Sequence, residues 1–125
     1  MKTIVAWLFA SGGLLMGNLA CAGAIDAGRL VAIDAHALAA TAQSEAAIRT
    51  LAQYLSMGTN GDTEKARAIY RWVTDRIAYD AKSFFNKTSS SVGPDAVFQS
   101  RLAACAGYAA LFERLAKESG LEAVT

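Results

Sequence analysis

Residues 94–120 read PDAVFQSRLAACAGYAALFERLAKESG. The reading of this stretch decides the fold. Tyr108, Leu111, Phe112 and Leu115 fall at i, i+3, i+4 and i+7, which lays one apolar stripe along a helix. That helix is expected to begin near Ala104 or Cys105 and to run to about Ser119. Gly120 then supplies the left-handed residue that commonly ends a helix. Pro94 suits the first turn of a shorter helix over 94–100, with Val97 and Phe98 turned inward. Cys105 therefore stands where a helix starts. A thiol in that place meets the positive end of the helix dipole and amides that lack an internal partner, and both favour the anion. The thiolate is the nucleophile of acyl transfer. Gly107 lets a substrate or another backbone come close, and Ala103, Ala104 and Ala106 keep the approach open. The competing reading of the same position is a cysteine that packs as a small hydrophobe.

Downstream, residues 121–125 alternate like the opening of a strand. Upstream, Ser44 is a candidate cap for a helix over 45–57, with Ile48, Leu51 and Leu55 on one face and Gly58 at its end. Thr59-Asn60-Gly61 reads as a turn, and Asp62 as the cap of a second helix over 63–78. In that helix Ala66, Ile69, Trp72, Val73 and Ile77 form the inner stripe. Arg67, Arg71 and Asp75 lie opposite, with Arg71 and Asp75 as a surface pair. Such a stripe makes Trp72 a core residue. Residues 81–93 read as a polar loop whose Phe84 and Phe85 are expected to dock onto the helices. Asn86-Lys87-Thr88 also fits the short glycosylation sequon. The alanine-rich segment 25–43 shows no clear stripe and is compatible with extended chain or with a weak helix.

A length of 125 residues bounds the chain to one domain at most. The formal net charge is +1 with both signs mixed, so neither a basic stripe for nucleic acid nor an acidic tail is present. Hydrophobic residues make up 54%, and residues 1–24 carry much of the excess. Lys2, the apolar run from Ile4 to Met16 and the small residues around Ala20-Cys21-Ala22 and Ala22-Gly23-Ala24 read as a cleaved secretory signal. The run is short for a membrane span, which takes ~20 apolar residues. The expected destination is the periplasm or the cell exterior. Any membrane attachment is expected through the signal itself or through lipid on Cys21. Cleavage after Ala22 or Ala24 would leave Cys105 as the one cysteine in an oxidising compartment, where a leftover thiol is either reactive or paired between chains.

The segment Cys105-Ala106-Gly107-Tyr108-Ala109, followed by Leu111-Phe112, resembles the nucleophile motif of the bacterial transglutaminase-like proteins. Residues 65–73, KARAIYRWV, with Ile77 and Tyr79-Asp80 after them, are similar to the helix that precedes it in that family. Val97-Phe98 before the cysteine and residues 120–124 after it fit the same order, so the resemblance spans about residues 44–125. It implies a papain-like α+β fold in which the cysteine helix packs on an antiparallel sheet. It also implies a histidine and an aspartate on later strands, and acyl transfer at an amide of a peptide or protein without metal or organic cofactor. The thiol of Cys105 would be the nucleophile and its backbone amide an oxyanion donor. Gln99, six residues before Cys105, would be a second donor on the papain pattern, or else a solvated residue of a short helix. Gly107 and Tyr108 would lie beside the substrate.

The sequence departs from the pattern in its histidine. The only one, His36, precedes the cysteine and reads as a surface residue of the lead segment. A lone strand cannot form a sheet, and helices with strong apolar faces need a cover. The expectation is therefore a mainly helical chain that is the N-terminal portion of a larger domain. Three functions stay open: an exported thiol acyl-transfer enzyme, a non-catalytic domain of the same type that grips peptide or cell-wall material, and an unrelated helical exported protein with a structural cysteine.

Overall fold

The computed structural model describes residues 26–124, so the signal reading and Cys21 lie outside the described residues. Those residues form α1 (Ala27–Leu38), α2 (Ile48–Ser56), α3 (Asp62–Arg76), β1 (Ala78–Tyr79), α4 (Ala81–Asn86), α5 (Pro94–Ser100), β2 (Leu102–Ala103) and α6 (Cys105–Glu118). The chain is mostly helical, as expected. Among the described residues no helix is long and apolar enough to cross a membrane.

Helices α3 and α6 form the centre. Both contact each other and α2, α1 packs on α3, and α5 packs on α6. The stripes read from the sequence become the core: Leu51 and Leu55 from α2, Ile69 and Trp72 from α3, Val97 from α5, Leu111 and Leu115 from α6 are fully buried. Each such side chain contributes about 1.5–3 kcal/mol of apolar transfer energy. Trp72 satisfies its indole N–H by donating to Glu45 Oε1 at 2.8 Å. The α6 terminus closes as the Gly120 signal requires. Gly120 has φ 79°, its N–H donates to the Lys117 carbonyl, and the Leu121 N–H donates to the Ala116 carbonyl at 2.9 Å.

Several expectations change. The lead segment, compatible with extended chain or a weak helix, is resolved as a helix, α1, capped by Asp26, whose carboxylate accepts from the Arg29 amide. Alanine favours the helix intrinsically, and long-range pairs with α3 select its face. Ser44 does not cap α2. It exchanges hydrogen bonds with Thr41 in a preceding turn, and the helix begins only at Ile48, after Ala47. Asp62 is the first residue of α3 rather than its cap; Gly61, at φ 106°, takes the cap position. The polar loop contains α4, two turns begun by Asp80, so Phe84 and Phe85 do not dock. They are 61% and 78% exposed and touch each other edge-on, with ring centroids 5.5 Å apart. Residues 121–124 form no strand; Leu121 and Ala123 instead pack against the core. The only pairing among the described residues is the parallel β1–β2 contact, Ala78 opposite Leu102 and Tyr79 opposite Ala103.

Candidate active site

The route to Cys105 is set by three local devices. Arg101 ends α5 in the left-handed region, φ 57° and ψ 24°, at a steric cost of roughly 1–2 kcal/mol for a non-glycine residue. Its guanidinium lies 4.5 Å above the Phe98 ring centroid and 4.8 Å above that of Trp72, and it pairs with Glu45 at 3.0 Å, which offsets that cost. The chain then runs as β2 beside β1. The Ala78 amide donates to the Arg101 carbonyl at 2.8 Å and the Asp80 amide to the Ala103 carbonyl at 2.9 Å. Ala104, in extended conformation, is the cap residue of α6 and offers no capping side chain. Cys105 follows as the first helical residue, exposed and free of any disulfide. The amides of Cys105 and Ala106, both exposed residues, are thus left without a capping side chain.

The segment before α5 straps the first turn of α6. The Ala104 amide donates to Ser90 Oγ at 3.2 Å, and Ser90 Oγ donates to Asp80 Oδ2 at 3.1 Å. The other oxygen of Asp80 accepts from the Ser83 amide at 3.0 Å and so begins α4. Asp80 is buried. Hydrogen bonds from Ser83, aided by Ser90 and the charge of Lys82, hold its carboxyl below the usual aspartate value of 3.8 against the opposing effect of desolvation. One residue on, a Cβ added to Gly107 would stand 2.5 Å from the Ser91 carbonyl oxygen and 2.8 Å from the Ala103 Cβ. The close approach expected at Gly107 is therefore made by another stretch of backbone, and the glycine is buried.

Tyr108 is half-buried, with its hydroxyl donating to the Ile77 carbonyl and its ring 6.3 Å from that of Tyr79. Burial, and secondarily the charge of Tyr79, raises its pKa above 10.0. Gln99 is exposed on α5. His36 is not a plain surface residue. Its Nε2 lies 2.8 Å from the Tyr54 carbonyl oxygen, its ring stacks on Tyr54 at 4.4 Å, and the Tyr54 hydroxyl donates back to the His36 carbonyl at 2.9 Å. It clasps α1 to α2. An open pocket of about 410 Å³ between residues 41–44 and α2, lined by Thr41, Gln53, Tyr54 and Met57, does not include Cys105. Among the described residues no group of three or more His, Cys, Asp or Glu is arranged to hold a metal ion. Sequence reasoning missed Ser90. Within Ser89-Ser90-Ser91 nothing marks which hydroxyl turns inward.

The site's stretch also carries the similarity to known proteins. A sequence family described as the transglutaminase-like superfamily matches residues 49–124. Kyphoscoliosis peptidase of Mus musculus is 31% identical over 93 residues, covering 74% of this chain and 14% of that protein. Kyphoscoliosis peptidase of Homo sapiens is 29% identical over 101 residues, covering 81% of this chain and 15% of that protein. The chain thus spans a small part of the curated relatives it matches. No solved structure matches it. The cysteine motif, the helix before it and the family match coincide along one segment, and the chain belongs to the transglutaminase-like superfamily.

Proposed function

We propose that Cys105 is the nucleophile of an exported thiol enzyme that transfers acyl groups from amides of peptide or protein substrates. One observation carries the reading: an exposed, unpaired thiol at the first residue of an uncapped helix, inside the stretch that matches the family. The thiolate attacks the amide carbonyl. The Cys105 amide, with Gln99 as the second candidate donor, receives the oxyanion. The amine leaves with a proton, and the resulting thioester is resolved by water, which is hydrolysis, or by another amine, which is transamidation. The cycle also needs a general base for the thiol; the one histidine of these 125 residues, His36, is engaged with Tyr54 instead. The relatives' printed name, a peptidase, agrees with cleavage at peptide bonds. Export rests on the leader-like residues 1–24, and N-terminal sequencing of the mature protein tests it.

The nucleophile is tested on the full-length gene product with an activated ester of a blocked peptide. Wild type is expected to gain one acyl group on the peptide that contains Cys105, and Cys105→Ala none. Acylation undiminished in Cys105→Ala removes the reading. A second reading, a groove that binds peptide without turnover, is favoured by the engagement of His36 with Tyr54. It is recognised by stoichiometric acylation of Cys105 with no release of product by the full-length protein.

A further inference from the structure

We propose that Asp80 and Ser90 are positioning residues for Cys105, holding the backbone at the start of α6 so that the thiol keeps one orientation. The inference rests on the reading of Cys105 as nucleophile. Asp80 reaches the cysteine segment twice. Its backbone amide donates to the Ala103 carbonyl at 2.9 Å, and its carboxylate takes the Ser90 hydroxyl, which in turn takes the Ala104 amide. These bonds fix the two residues that immediately precede Cys105. The Ser91 carbonyl packs against Gly107, two residues after Cys105, at a distance only glycine permits. The polar segment around Ser90 thus braces the turn on both sides of the thiol while Cys105 itself stays exposed.

The relay runs amide to hydroxyl to carboxylate, with each group in its correct role. The Ser90 hydroxyl has one proton, which it gives to Asp80, and a lone pair for the Ala104 N–H. A buried carboxylate at the end of such a chain polarises it and strengthens both bonds. Asp80 stays ionised at neutral pH because Ser83 and then Ser90 and Lys82 stabilise the anion. A hydroxyl at position 90 is the requirement, so threonine is an acceptable replacement and alanine is not. Ser89 is exposed and provides a neighbouring control.

The test uses alkylation of Cys105 by iodoacetamide in the full chain, read by mass spectrometry on the Cys105 peptide. This readout reports the positioning whether or not a thioester ever forms, so it fails separately from the acyl-transfer reading. Ser90→Ala is expected to change the rate by about threefold to tenfold, the span of one lost hydrogen bond. Ser90→Thr is expected to restore it and Ser89→Ala to leave it unchanged. Asp80→Asn is expected to change it in the same direction as Ser90→Ala. A folded Ser90→Ala protein with the wild-type rate overturns the proposal, as does failure of threonine to rescue. Should Ser90→Ala not fold, hydrogen exchange of the unaltered protein decides. The Ala104 amide is expected to exchange at least about tenfold more slowly than an unprotected amide, and exchange at the unprotected rate overturns the proposal.

Discussion

At the scale of single residues, two positions next to the thiol show how the site is built by exclusion. Gly107 sits in the first turn of α6, where alanine would ordinarily help the helix by roughly 0.5–1 kcal/mol. Here the added Cβ meets a backbone oxygen, which cannot swing aside as a side-chain tip could. Gly107→Ala is therefore expected to destabilise by about 1–3 kcal/mol, the usual cost of overpacking. Urea denaturation followed by circular dichroism measures it, and a stabilised variant contradicts the packing account. The sequence made a close approach at Gly107 legible but not its source, because the Ser91 carbonyl arrives from a segment with no periodicity of its own. The place of Cys105 at a helix start was legible, because helix starts are signalled locally, and it is exposed at the first residue of α6.

At the scale of elements, α5 and α6 matched the reading to within a residue or so because their signals are local: proline at the first turn, the i, i+3, i+4, i+7 stripe, and glycine at the end. Two elements escaped the reading through pairing at a distance, whereas the shifted cap at Ser44 and the helix begun by Asp80 are local effects. Helix α1 carries no strong stripe because it buries only Ile33 and Ala37. Its face is chosen by Arg67 and Glu64 on α3 and by Tyr54 on α2. The pairing of β1 with β2 joins residues 78–79 to 102–103 through backbone bonds that no pattern announces. The His36–Tyr54 clasp belongs to this scale and has a measurable consequence. His36→Ala loses a hydrogen bond and a stacked ring and is expected to cost about 1 kcal/mol of stability. Alkylation of Cys105 in the same variant is expected to proceed at the wild-type rate. A slowed Cys105 reaction in a folded His36→Ala protein would make His36 part of the site and would reverse its assignment as a clasp.

At the scale of the whole molecule, α1 lies ahead of the matched stretch 49–124 and is held to it by two ion-paired forks as well as by the buried Ile33 and Ala37. Arg67 binds both oxygens of Asp34 at 2.7 and 2.6 Å. Arg29 binds both oxygens of Glu64 at 3.0 and 2.6 Å, and the Asn60 amide adds a bond to Glu64 at 2.6 Å. Paired forks of this kind are the stronger sort of ion pair. The Arg67 hydrogen bonds lower the pKa of Asp34 below 3.8, and those of Arg29, then the Asn60 amide, lower that of Glu64 below 4.5. A carboxylate whose pKa is lower folded than unfolded leaves the unfolded chain holding more protons across the gap, so stability falls as pH falls. The contribution is complete above the unfolded values and is lost from about pH 4.5 downward, as each folded value is passed. Because only two α1 side chains are buried, this helix should loosen before α6, which is buried through Leu111, Leu115 and Ala116. Hydrogen exchange at pH 6 is expected to show both helices protected. At pH 3 to 4 the amides of α1 are expected to lose protection first. Asp34→Asn/Glu64→Gln should flatten the dependence of the urea midpoint on pH, leaving a residual slope from Asp80, whose pKa is lowered in the same direction. If the double variant keeps the wild-type slope, or if α6 opens before α1, the two forks do not hold the helix. Apolar contact through Ile33 and Ala37 would then be the larger attachment of α1 to the rest of the fold.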